Sequence, residues 1–205
     1  MLRLEVPDQP INAHLARLYF DECQLPCWIG IDPGKTHLLD AKRKIFSHFP
    51  NPKLEAENIY LYRVEIQDAP EGLFSVTLEI SSGEVIGNIE LYFTPPTAYA
   101  MRAGDIYMLT GEPSHFVAPV SAIGNVWPEY GFVFDKPDSK IYLFAFPEEN
   151  RPMWTAAIKE LYLSRVALPL DMFGREILPW KGQQTFERYS CFSQARNLLN
   201  SQFCS

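Results

Sequence analysis

Leu73-Phe74-Ser75-Val76-Thr77-Leu78-Glu79-Ile80, followed across Ser81-Ser82-Gly83-Glu84 by Val85-Ile86-Gly87-Asn88-Ile89-Glu90-Leu91-Tyr92-Phe93, reads as a β-hairpin. Phe74, Val76, Leu78 and Ile80 alternate with Ser75, Thr77 and Glu79, the period of two that gives a strand one dry and one wet face. The four residues between the runs hold a glycine, as a hairpin connection of that length requires. Upstream, Asn58–Ile66 alternates in the same way, with Tyr60, Tyr62, Val64 and Ile66 on one face and Ile59, Leu61, Arg63 and Glu65 on the other. Downstream, Ile141–Phe146 carries no polar group except the Tyr142 hydroxyl, which predicts a central strand covered on both faces. Short strands are also expected at Asp105–Leu109 and His115–Val117.

Both flanks read as helical. Ile11, Leu15, Leu18 and Tyr19 share a face within Pro10–Glu22, and Leu38, Ala41, Ile45 and Phe49 do so within Thr36–Phe49. Trp154, Ala157, Ile158, Leu161 and Tyr162 form an apolar stripe at helical spacing after a cap at Asn150 and before Pro169. Asp171–Gly182 is expected as a loop or short strand, and Gln184–Ser201 as a last helix. The expected fold class is therefore α+β, a single domain over residues 1–205. An N-terminal helical part (1–57) and a C-terminal helical part (150–205) would cover one face of an antiparallel sheet of about five to seven strands spanning 58–146.

Of 205 residues, 47% are hydrophobic and 14% aromatic, enough for a sizeable core. The net charge is −7 and the one basic run is Lys42-Arg43-Lys44, so the cationic face that phosphate contact demands is absent and no nucleic-acid partner is expected. Met1–Asp8 lacks the apolar stretch of a signal peptide, and no run reaches the roughly 18 apolar residues of a membrane span. A cytoplasmic location follows as the expectation, with no membrane partner and with Cys23, Cys27, Cys191 and Cys204 as reduced thiols. Their spacing does not match a zinc site, so neither a metal nor another cofactor is expected.

Candidate chemistry concentrates in Trp28-Ile29-Gly30-Ile31-Asp32-Pro33-Gly34-Lys35-Thr36, which precedes a helix. Gly30 and Gly34-Lys35-Thr36 approximate a phosphate-binding loop, one residue short of the spacing with which backbone amides wrap a phosphate. Ile29–Gly34 also resembles the first-strand motif of ribonuclease-H-like nucleases and resolvases, over six residues. That resemblance implies a divalent cation on Asp32 and further carboxylates nearby for phosphodiester cleavage. The catalytic set under these alternatives is Asp32, Lys35, Thr36 and His37. The competing reading is a turn in which Asp32 or Thr36 accepts an amide proton ahead of the helix. Glu65, Asp68, Glu71, Glu79 and Glu90 read as charges on the wet face of the sheet.

The proline-rich stretch between Thr94 and Gly131 carries Tyr99, Arg102, Phe116, Trp127 and Tyr130, residue types that dominate binding hot spots. These five are the expected partner-binding residues, unless the rings pack back onto the sheet. The function expected first is a non-catalytic cytosolic protein–protein interaction module, of adaptor, inhibitor or immunity type, that binds another protein through this loop and nearby sheet carboxylates. Two alternatives stand beside it. One is a metal-dependent phosphoryl-transfer or nuclease enzyme using Gly30–Thr36. The other is a small-molecule pocket between sheet and helices, lined by Tyr60, Tyr62 and Phe144.

Overall fold

The computed structural model describes residues 13–67, 72, 74–94, 101–119, 130–146, 153–167, 175–180 and 182. Among these residues nine strands form one antiparallel sheet: β1 (Lys53–Glu57), β2 (Leu61–Ile66), β3 (Phe74–Ile80), β4 (Ile86–Phe93), β5 (His115–Pro119), β6 (Tyr130–Lys136), β7 (Ser139–Ala145), β8 (Ile158–Ser164) and β9 (Arg175–Pro179). Their spatial order is β1-β2-β3-β4-β8-β7-β6-β5-β9. Among the described residues three helices accompany them: α1 (Ala13–Arg17), α2 (Leu38–His48) and α3 (Ala103–Thr110). With nine strands and few helices the architecture is mostly β, so α+β describes it only loosely and the expected strand count was too low.

The β3–β4 hairpin forms as the alternation predicts, with Val76 opposite Leu91 and Leu78 opposite Ile89. Gly83 (φ 75°) and Glu84 (φ 59°) both take left-handed backbone in the turn, which glycine does without steric cost. On β7, Ile141 to Ala145 are buried without a break, as expected of a strand covered on both faces. Asn58–Tyr60 instead make the β1–β2 turn, where the Asn58 side chain accepts from the amides of Tyr60 and Leu61. This leaves Tyr60 70% exposed, so it shares no pocket with Tyr62, which is buried on the core face, or with Phe144, which belongs to the cluster on the opposite face.

Three segments depart from their predicted type. Asp105–Leu109 is the body of α3, because Ala103, Ile106 and Thr110 share a buried helical face that the strand reading overlooked. The stripe from Trp154 to Tyr162 is a short 3-10 turn, Met153–Thr155, followed by β8. Leu161 and Leu163 point into the core and Glu160 and Tyr162 away from it, and the alternation wins because β4 and β7 offer ladder partners on both sides. The first helix is confined to the five residues of α1. The expected helix at Gln184–Ser201 lies outside the described residues.

The core lies on one face of the sheet. Trp28, fully buried, donates from Nε1 to the Leu18 carbonyl at 2.9 Å, stacks on Phe49 and meets Phe74 edge-on. With Ala41 and Ile45 of α2 it seals β2–β4, while Ala103 and Ile106 of α3 join the same apolar cluster as Phe132 and Phe134 of β6. The opposite face carries a second, smaller cluster of Val117, Val133, Tyr142 and Phe144, next to the polar half formed by β2–β4.

Candidate interaction surface

The segment around Asp32 is a structural clip. Asp32 lies between Arg165, whose Nη2 and Nε donate to Oδ1 at 2.6 and 3.1 Å, and Lys35, whose Nζ is 2.7 Å from Oδ2. Partial burial pushes the Asp32 carboxyl up, but the hydrogen bonds and charges of Lys35 and Arg165 outweigh it and hold the group below the usual carboxylate range. The same guanidinium donates to the carbonyls of Pro33 (2.7 Å) and Asp138 (2.9 Å), tying the N-terminal segment to the end of β8 and the β6–β7 turn.

Every amide that a phosphate loop would need is already committed. Gly30 donates to Cys23 Sγ, Ile31 to the Trp28 carbonyl, Asp32 to Thr36 Oγ1, Gly34 to the Ile86 carbonyl, and both Lys35 and Thr36 to the Asp32 carbonyl. Gly30–Thr36 thus folds as the helix-leading turn, with Thr36 accepting the amide proton. Asp32, Lys35 and Thr36 are brought together in this turn. The His37 ring is exposed at the start of α2 and makes no hydrogen bond with Asp32. Trp28 and Ile31 form only an isolated bridge, not the first strand that the nuclease resemblance implies.

Cys23 and Cys27 are joined in a disulfide, which corrects the expectation of reduced thiols for this pair. Four-residue spacing suits a tight covalent loop as well as it suits two idle thiols, and the sequence alone gave no reason to choose. Cys191 and Cys204 lie outside the described residues.

Of the expected partner-binding residues, Phe116 (0% exposed) and Tyr130 (1% exposed) are core side chains facing each other across β5 and β6, with centroids 5.7 Å apart. Burial takes both off any docking surface. Tyr99 and Trp127 lie outside the described residues. Arg102 lines a groove of about 550 Å³ with Gly104, Tyr107, Met108, Trp154 and Thr155. Two large apolar side chains reach solvent there, Met108 at 49% and Trp154 at 36% exposure.

The groove is rigidly built. The amide of Ala103 donates to the Ala156 carbonyl at 2.9 Å, that of Ile158 to the Met101 carbonyl at 3.1 Å, and Arg102 Nη1 to the Thr155 carbonyl at 2.8 Å. Asp105 Oδ2 accepts from the Arg102 amide at 2.8 Å, capping α3. Gly104 lets helix and turn close up: a Cβ there would stand 3.0 Å from the Trp154 carbonyl oxygen. Met108 falls in a run that the sequence marks as a strand and Trp154 on the dry stripe of a helical pattern, so neither pattern signals their exposure.

The sheet carboxylates lie elsewhere. Glu90 on β4 and Glu160 on β8 hydrogen-bond to each other on the face opposite the helices. Burial first, then the hydrogen bond and charge of Glu160, raise the Glu90 carboxyl to about 7.

No family model matches this chain, and no curated protein is similar to it. Among solved structures it is similar to the crystal structure of a DUF4309 family protein (YjgB) from Bacillus subtilis subsp. subtilis str. 168. The TM-score is 0.40 and the identity 12%, over 76% of this chain and 94% of that one. A likeness so loose adds nothing to the functional argument. Among the described residues no helix is long and apolar enough to cross a membrane.

Proposed function

We propose that this chain is a non-catalytic protein–protein interaction module, an adaptor or inhibitor, whose docking surface is the groove between α3 and the Met153–Thr155 turn. One observation carries the reading: Trp154 and Met108 reach solvent from a hydrogen-bonded, close-packed support and line one groove with Arg102. Trp and Arg are enriched among hot-spot residues, Met is common at interfaces, and a pre-ordered anchor loses little entropy on binding. With a net charge of −7, the chain favours a partner that presents apolar side chains on a basic surface. The Cys23–Cys27 bond supports work in a compartment where disulfides persist, in place of the cytosol read from the N-terminus.

Affinity capture with the wild type, Trp154→Ala, Met108→Ala and, as a control on a remote edge strand, Leu54→Ala tests the proposal. A protein retained by wild type and Leu54→Ala but lost from Trp154→Ala and Met108→Ala is the expected result. Equal retention by the wild type and all three folded variants, or no captured protein, overturns it.

A further inference from the structure

The ring closed by Cys23 and Cys27 spans a sequence separation of only 4, and the stabilisation that a disulfide gives by restricting the unfolded chain is smallest for short rings. The residues on either side are held without it. Glu22, before the ring, pairs with His48 Nε2 at 2.9 Å. Trp28, after the ring, is fully buried and tied through Nε1 to the Leu18 carbonyl. Its backbone also exchanges hydrogen bonds with Ile31 at 2.8 and 3.1 Å. Inside the ring the Cys27 amide donates to the Gln24 carbonyl at 3.1 Å. Breaking the S–S bond therefore leaves the two thiols anchored close together, ready to close again.

The two sulfurs are not equivalent, although both cysteines are half-buried and both reach solvent. Cys23 Sγ accepts the Gly30 amide at 3.4 Å. A donor on sulfur favours the thiolate and so makes that sulfur the better leaving group. Cys23 also lines a cavity of about 630 Å³ between the ring and the Lys136–Ser139 turn, which gives water room to solvate a charge there. Among the described residues no donor hydrogen-bonds to Cys27 Sγ, and Cys27 does not line that cavity.

We propose that Cys23–Cys27 is a reversible thiol–disulfide exchange site whose co-reactant is a dithiol, with Cys27 as the sulfur attacked. A thiolate of the dithiol approaches Cys27 Sγ in line with the S–S bond, from the side away from Cys23. An intermolecular S–S bond forms and the Cys23–Cys27 bond breaks. Its electron pair stays on Cys23 as a thiolate held by the Gly30 amide. The second thiolate of the dithiol then attacks the dithiol's own sulfur in the mixed bond and expels Cys27. The dithiol leaves as a disulfide, two electrons poorer, and the two protons its thiols released end on Cys23 and Cys27. The oxidised ring is the resting form, and a disulfide as oxidant runs the same steps backwards. The site shares no residue with the groove that holds Trp154.

Dithiothreitol added to the folded protein at neutral pH tests the assignment. Iodoacetamide quenching with peptide mass mapping reads Cys23 and Cys27, and amide hydrogen exchange of β7 reads the fold. Reduction is expected at a rate that doubles with each doubling of dithiothreitol, with the protection of β7 retained, and glutathione disulfide should restore the bond. The monothiol 2-mercaptoethanol, which lacks a second thiolate, is expected to leave its adduct on Cys27 with Cys23 alkylated. No reduction, reduction only at the rate of global unfolding whatever the dithiothreitol concentration, or an adduct on Cys23 as abundant as that on Cys27 overturns the proposal.

Discussion

Glu90 and Glu160 hydrogen-bond across the β4–β8 seam although both are acids. The register explains why. Glu90 pairs with Tyr162 and Tyr92 with Glu160, so the two carboxyls are diagonal neighbours on one face of an antiparallel ladder. Tyr162 donates to Glu160 Oε1 at 2.7 Å, leaving the shared proton to Glu90. Arg63 offsets part of the repulsion and Glu79 adds to it.

Stability is expected to fall as pH rises from the ordinary glutamate range toward about 7, the value to which Glu90 is raised. The folded state there binds a proton that the unfolded state has released, so alkalinity favours unfolding. Allowing for the solvent that still reaches Glu90, the loss is about 2 kcal/mol. Urea midpoints at pH 5 and pH 8 should differ in the wild type and converge in Glu90→Gln, which keeps a hydrogen bond and never ionises.

Asp32 works with the opposite sign. Its carboxyl lies below its ordinary value of 3.8, so its contribution is complete above that pH and is lost as pH falls further, through the folded value. Asp32→Ala also leaves the guanidinium of Arg165 without its carboxylate. A loss of about 2 kcal/mol at neutral pH is expected by chemical denaturation. A change within error would show that Arg165 needs only the two carbonyls.

Opening the Cys23–Cys27 bond frees a short loop in the unfolded chain. For so small a ring the entropic cost corresponds to about 2 kcal/mol of lost stability. Melting of wild type with and without a dithiol, against Cys23→Ser/Cys27→Ser, measures it; the double variant should be insensitive to reductant at this loop.

Gly131 faces the β7 backbone so closely that a Cβ would stand 2.6 Å from the Leu143 carbonyl oxygen and 2.7 Å from Phe144 Cδ1. Neither strand can retreat, since β6 and β7 are both interior to the sheet. Gly131→Ala should cost about 2–3 kcal/mol, the range for overpacking a filled core.

The β3–β4 hairpin and β7 were legible because Val76, Leu78, Ile89 and Leu91 repeat with a period of two and Ile141–Ala145 repeat without polar breaks. The stretch from Trp154 to Ser164 was ambiguous in kind. Trp154, Ile158, Leu161 and Tyr162 satisfy a helical stripe, while Leu161 and Leu163 satisfy a strand, and only the neighbours β4 and β7 decide between them. That choice also hid Glu160, and with it the partner that alters Glu90. In the candidate surface, Arg102 was found from its residue type, whereas Phe116 and Tyr130 carry the same aromatic signal but belong to the core. Composition alone does not separate an anchor from a core ring.

The position of Ile158–Ser164 as the strand between β4 and β7 is the claim on which the Trp154 groove and the Glu90–Glu160 pair both depend. Nuclear Overhauser contacts of the Leu161 backbone test it directly. Cross-strand contacts to Leu91 on one side and Leu143 on the other are predicted. A ladder of contacts three and four residues apart from Trp154 to Tyr162, with none to Leu91 or Leu143, would contradict it.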